Sequence, residues 1–145
     1  MSSASRLHVG RVARLVVLAA AFLLTSACSE QDPRLIDETG SVTEFAFIMG
    51  PDLSASVSSE EIEAAGTGAV AVEHPEGWDI RVAWLTGSCY RSPTVRVTGA
   101  DGRITAIHVD YGRAPVGECP SDLTIYAVDL KVSRSPAADL TVTGG

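Results

Sequence analysis

Asparagine is absent from this 145-residue chain, and lysine occurs once, as Lys131, beside ten arginines. Without Asn there is no Asn-x-Ser/Thr acceptor, so N-glycosylation is excluded. Lys and Asn codons are A/T-rich while Arg codons can be G/C-rich, and this bias points to a high-GC bacterium as the source. Catalytic signatures are missing as well: there is no His-Glu-x-x-His, no Gly-x-Ser-x-Gly, no Walker loop and no Cys-x-x-Cys. The longest uncharged apolar run, over residues 15–29, is shorter than the ~20 residues that a permanent membrane-spanning helix needs. Cysteine is scarce and odd in number, with three in all.

What is present begins with that apolar run. Arg6, Arg11 and Arg14 precede it with no acidic residue among them, and the small residues Thr25, Ser26 and Ala27 follow it, ahead of Cys28. A basic leader, an apolar stretch and a small-residue site describe an export signal rather than part of a fold. With the cysteine added, Leu24-Thr25-Ser26-Ala27-Cys28 resembles the lipobox of a bacterial lipoprotein. The resemblance implies cleavage before Cys28 and a diacylglyceryl group on its sulfur. Two acyl chains hold a protein firmly where one anchors only marginally, at ~0.8 kcal/mol per buried CH₂. The expected address is therefore the outer face of the cell membrane, with the lipid as the membrane contact. An ordinary secretory signal and an uncut helix are the alternative readings.

Residues 1–27 thus read as a signal peptide, 28–42 as a lipidated tether and 43–145 as one β domain. Cleavage leaves eight basic against eighteen acidic residues, a formal charge near −10. A surface of that sign repels phosphate backbones, which argues against nucleic acid as a partner. The tether stretch is polar, with Pro33 and Gly40, and fully extended it would reach roughly 45 Å. Docking of Leu35 and Ile36 onto the domain is the alternative.

From Val42 onward the apolar residues alternate, the mark of half-buried strands. Phe45, Phe47 and Met49 form one set, Val70 and Val72 another, and Trp78, Ile80, Val82 and Trp84 the clearest, with Asp79 and Arg81 on the opposite face. Val95 and Val97 lead to Asp101-Gly102, a hairpin signal because both residue types tolerate positive φ. Ile107, Val109 and Tyr111 return, and Ile104, out of phase with them, predicts a bulge. Tyr126, Val128, Leu130 and Val132 make a long strand, with Leu140 and Val142 as a final edge. One short helix is expected near residues 58–65, where Ser58 and Glu61 fit a capping box. The expected fold is an antiparallel β-sandwich, with a small open β-barrel as the alternative.

Setting Cys28 aside leaves Cys89 and Cys119, an even pair in an exported context, for which a disulfide is the default. Closing a loop of about 30 residues would contribute roughly 3–4 kcal/mol in the chain-entropy picture and would clamp the base of the intervening hairpin. Free thiols and a redox pair are the rival readings. The segment Trp84-Leu85-Thr86-Gly87-Ser88-Cys89, followed by Cys119-Pro120-Ser121-Asp122-Leu123 and an alternating strand, resembles small exported lipoproteins of high-GC Gram-positive bacteria. The likeness covers about residues 78–132, and Tyr90 stands where members often carry Pro. That family is of unknown function, so the resemblance implies an address and a fold but no reaction.

Groups suited to chemistry are few. His74, His108, Asp110, Tyr111 and Glu118 are the one concentration, and alternation sets His108 and Asp110 on the solvent face of a strand. Read functionally they are a metal pair or an acid–base pair with His74; read simply they are a solvated face. Glu60, Glu61 and Glu63 suit a helix start and lack the frame of a calcium loop. Trp78 and Trp84 would line a groove or, sharing phase with Ile80 and Val82, fill the core. No catalytic, cofactor or metal set emerges. Tyr90 and Arg91, types favoured at interfaces, mark the expected contact loop. The function these features support is a non-catalytic, lipid-anchored envelope module that binds another protein or a wall component. An exported protease inhibitor presenting the 89–93 loop, and a small hydrolase using His108 and Asp110, are the alternatives.

Overall fold

The structure, a computed structural model, describes residues 33–49, 53, 56–87, 93–111 and 123–145. Its elements in chain order are β1 (Arg34–Asp37), β2 (Val42–Met49), α1 (Ser59–Ala65), β3 (Ala69–Val72), β4 (Ile80–Gly87), β5 (Thr94–Ala100), β6 (Arg103–Asp110), β7 (Leu123–Val132) and β8 (Thr141–Gly144). The strands form two four-stranded sheets. Sheet 1 has the order β1-β5-β6-β8 and sheet 2 the order β2-β7-β4-β3. The fold is therefore β-rich with one short helix, and the described strands close no barrel.

Period-two alternation turns one face of each sheet inward, and the two faces share one core. Val95, Val97, Ile104, Ile107 and Val109 come from sheet 1, and Ile80, Val82, Trp84, Val128 and Leu130 from sheet 2. All are buried. At about 25 cal/mol per Å² of apolar surface removed from water, each such side chain favours folding by roughly 1.5–3 kcal/mol.

The β5–β6 hairpin has the predicted turn. Ala100 pairs with Arg103, so the loop is the two residues Asp101 and Gly102, with φ of 53° and 70°. Two positive φ values make the type I′ geometry that matches strand twist. The predicted bulge is there too. Thr98 pairs with Ala106 but Gly99 with Ile104, which leaves Thr105 without a partner. The extra residue lets Ile104 and Ile107 both point into the core despite their odd spacing. Gly99 is required at this kink, because a Cβ there would run into the backbone carbonyl of Arg103.

The structure departs from the sequence expectation in strand direction. Sheet 2 is antiparallel throughout, but in sheet 1 both edge strands pair parallel: β1 with β5 and β8 with β6. No tight turn joins either pair, so neither is held to hairpin direction. The folded part also starts earlier than expected. β1 lies inside the stretch read as a tether, and its Leu35 packs on the core. The chain then crosses from sheet 1 to sheet 2 through a compact polar turn. The Asp37 carboxylate accepts from the Thr39 hydroxyl at 2.7 Å, the Thr39 N–H at 2.9 Å and the Val42 N–H at 2.8 Å. Ser41, buried, donates its hydroxyl to the Gly102 carbonyl. Its own carbonyl accepts from the Ser133 N–H at 2.8 Å. A run of residues that looks like a linker is polar because its groups satisfy one another.

Helix α1 forms where the capping box predicts. Ser58 accepts from the Glu61 N–H at 3.2 Å, and the Glu61 carboxylate accepts from the Ser58 N–H at 2.7 Å. Hydrogen bonding from the Ser58 N–H and hydroxyl holds the Glu61 carboxyl below its usual range. Gly66, with φ 67°, closes the helix in the left-handed conformation. The helix and the preceding turn cover the outer face of sheet 2. There Leu53, Val57 and Ile62 pack on Ala83 and Ala127, two small residues paired directly across β4 and β7.

Candidate functional site

Cys28, Cys89, Tyr90, Arg91, Glu118 and Cys119 lie outside the described residues. What surrounds the cysteine pair is described, however. Gly87, at the end of β4, pairs with Leu123, at the start of β7. The segments 88–92 and 112–122 therefore attach at one end of the molecule, on adjacent strands of sheet 2. Between them the chain passes through sheet 1, since β5 and β6 belong to that sheet. The loop enclosed by a Cys89–Cys119 bond is thus an excursion into the opposite sheet, not a hairpin continuing the sheet of β4 and β7.

His108 and Asp110 lie on the outer face of sheet 1, both exposed. His108 Nδ1 is 2.9 Å from the Thr143 hydroxyl of β8. Its cross-strand neighbour is Arg96, which is paired with Glu38 at 2.6 Å in a half-exposed ion pair. Such a pair contributes little in high dielectric. His74 follows β3 of the other sheet, with Nδ1 3.3 Å from the Pro75 carbonyl oxygen. The structure does not assemble the three into one site. Tyr111 turns inward, and its hydroxyl donates to the Gly68 carbonyl at 3.1 Å. Among the described residues no group of three or more His, Cys, Asp and Glu is placed to hold a metal ion.

The most concentrated polar chemistry is elsewhere, in a pair of which sequence alternation marks only Arg81, on the face opposite Ile80, Val82 and Trp84. Arg81 on β4 and Asp129 on β7 are direct cross-strand partners. Arg81 Nε meets Asp129 Oδ1 at 2.6 Å and its Nη2 meets Oδ2 at 2.7 Å, a fork-on-fork arrangement. The two side chains are 12% and 3% exposed. Hydrogen bonding to Asp129 raises the Arg81 guanidinium above its already high range, against the opposing effect of burial, so it stays charged. Arg81 Nη1 also lies 3.5 Å from the Ser56 hydroxyl, in the turn ahead of α1. The signal for this pair was Asp129 itself, an acidic residue flanked by the apolar Val128 and Leu130. Sequence alone does not show the turn at Ser56 that lies against the pair.

Of the two tryptophans, Trp84 belongs to the core and Trp78 does not. Trp84 is fully buried, stacked on Tyr126 with ring centroids 6.1 Å apart, and Phe47 meets it edge-on at 6.4 Å. Among the described residues its indole N–H has no acceptor. Phe45 continues the row outward to the edge of β2, where it is 44% exposed. Trp78 is half-buried, with Lys131 Nζ 5.4 Å above its ring, a cation–π contact worth roughly 0.5–1 kcal/mol at an exposed site.

These arrangements support packing and strand pairing. Among the described residues they do not join a nucleophile, a base and an oxyanion donor around one cavity. Comparison of the chain with family models, with curated proteins and with solved structures found no match.

Proposed function

We propose that this protein is an exported, lipid-anchored cell-envelope module, a non-catalytic β-sandwich that binds another envelope protein or a wall component. One observation carries the reading: the leader ending in Leu24-Thr25-Ser26-Ala27-Cys28, in which Cys28 supplies the diacylglyceryl attachment. Lipid on Cys28 removes the odd cysteine from the account and leaves Cys89 and Cys119 to pair. The Gly87–Leu123 register supports that pairing, since both flanking segments start from adjacent strands at one end of sheet 2. The non-catalytic reading is supported by His108 and Asp110, which stand on an exposed face of sheet 1, while His74 lies in the loop between β3 and β4 of sheet 2. The resemblance to small exported lipoproteins of high-GC Gram-positive bacteria is part of the same proposal and agrees with the Arg-rich, Asn-free composition.

The test is Cys28→Ser in cells, followed by fractionation and mass analysis of the mature N-terminal peptide. The variant should leave the membrane fraction, while the parent peptide should begin at Cys28 and carry a diacylglyceryl mass. A Cys28→Ser protein that stays with the membrane would end the proposal.

A further inference from the structure

The strand ends divide the molecule into two poles of different character. At one pole lie Arg34, Thr94, Asp110, Gly87 and Leu123, linked by the registers Arg34↔Thr94, Thr94↔Asp110 and Gly87↔Leu123. The two sheets meet at this pole through the Gly144 N–H, which donates to the Thr67 carbonyl at 2.7 Å. At the other pole lie the Asp101-Gly102 turn, the start of β4 and the loop after β7, joined by the Ser41–Gly102 and Ala137–Ile104 hydrogen bonds.

Two observations separate the poles. Leu123 is 60% exposed, the most exposed large apolar side chain among the described residues. And the chain enters the fold at the Leu123 pole, because β1 begins at Arg34. Only residues 29–33 separate Cys28 from that point, a span of at most roughly 20 Å even when fully extended. The ten residues of β7 extend about 33 Å at 3.3 Å per residue. The opposite pole therefore stands well beyond the tether's reach of the anchor.

We infer that the pole formed by Arg34 and Leu123 faces the lipid bilayer, and that the Asp101 pole faces away from it. The inference rests on the lipid anchor proposed above. Its chemistry is that of an interface: an exposed leucine gains by leaving water, and the short tether holds this end of the fold near the lipid. The partner at the near pole is the membrane surface itself, which leaves the Asp101 pole and the outer face of sheet 1 presented to the envelope.

A photo-cross-linking amino acid, p-benzoylphenylalanine, placed singly at Leu123, Arg103 or Thr141 tests this. All three positions are exposed, so the replacements leave the core intact. The full-length lipidated chain is reconstituted in vesicles of phosphatidylglycerol and phosphatidylcholine, irradiated, and analysed by mass for lipid adducts. Position 123 should give at least fivefold more adduct than 103 or 141. Equal yields, or more at 103 or 141, in a protein whose Cys28 peptide carries lipid would overturn the orientation and leave the anchor standing. A Cys28 peptide without lipid would overturn both.

Discussion

At the residue scale, the Arg81–Asp129 pair shows how a charge is kept inside this protein. Each side chain satisfies the other twice, under cover of the turn around Leu53 and Val57. Removing one member leaves the other buried and unpaired, which costs about 3–5 kcal/mol. Arg81→Ala and Asp129→Ala should each lower the denaturation midpoint by that equivalent. The double change Arg81→Met with Asp129→Leu should recover most of the loss, because no orphaned charge remains. Urea unfolding of the three variants checks this, and an additive double variant would show that the pair is not coupled.

Asp37 makes a second residue-scale case, and its acid behaviour follows from its contacts. Partial burial works to raise its pKa. The Thr39 hydroxyl and the N–H groups of Val42, Thr39 and Gly40 outweigh burial and hold the carboxyl below its usual range. A carboxylate depressed in the folded state contributes stability that is complete above the unfolded pKa, ~3.9 for Asp, and is lost as pH falls through the folded value. Asp37→Ala should therefore lower stability at pH 7 by about 1–3 kcal/mol. It should also flatten the acid limb of a stability–pH curve below about pH 4. Unchanged acid sensitivity in the variant would place the responsible carboxylate elsewhere.

At the element scale, the β5–β6 hairpin depends on its kink. With Thr105 bulged out, Gly99 lies against the Arg103 carbonyl with no room for a methyl group. Gly99→Ala must shift backbone, which moves slowly and expensively compared with a flexible side-chain end, and overpacking of this kind costs about 1–3 kcal/mol. Thermal unfolding should show the drop, and amide exchange should show it concentrated in β5 and β6. This element was legible in advance because each of its signals is local: Asp-Gly at the tip and one residue out of phase. The helix was legible for the same reason, since Ser58 and Glu61 satisfy each other within one turn. β1 was not. Four residues with two apolar side chains read as linker, and only the edge of β5 makes them a strand.

At the scale of the whole molecule, β4 and β7 are the two central strands of sheet 2. They pair over eight residues, from Ile80↔Leu130 to Gly87↔Leu123, and the excursion into sheet 1 leaves and returns at the Gly87 end. A Cys89–Cys119 disulfide would close that excursion. Reduction should then release one titratable thiol pair and lower stability by roughly 3–4 kcal/mol, as expected for a loop of about 30 residues. Thiol titration with and without reductant, paired with melting curves, decides this. Free thiols in the protein purified without reductant would refute the bond.

The candidate site was only half legible. Period-two alternation placed His108 and Asp110 on a solvated face, where the structure has them, because that face is set by the strand alone. The same rule put Arg81 on the face opposite Ile80, Val82 and Trp84, where it lies, but said nothing of its cover, because burial of a sheet's outer face depends on what packs over it. The sequence by itself determined the hairpin turn, the bulge and the helix cap, all of which are decided by groups within a few residues of one another. Tertiary structure decided that β1 and β8 pair parallel, that the first described strand starts at Arg34 rather than Val42, and that Arg81 and Asp129 share a seat beside the turn ahead of α1. Those outcomes depend on contacts between residues 35 to 60 positions apart, where no local pattern sets direction, partner or cover.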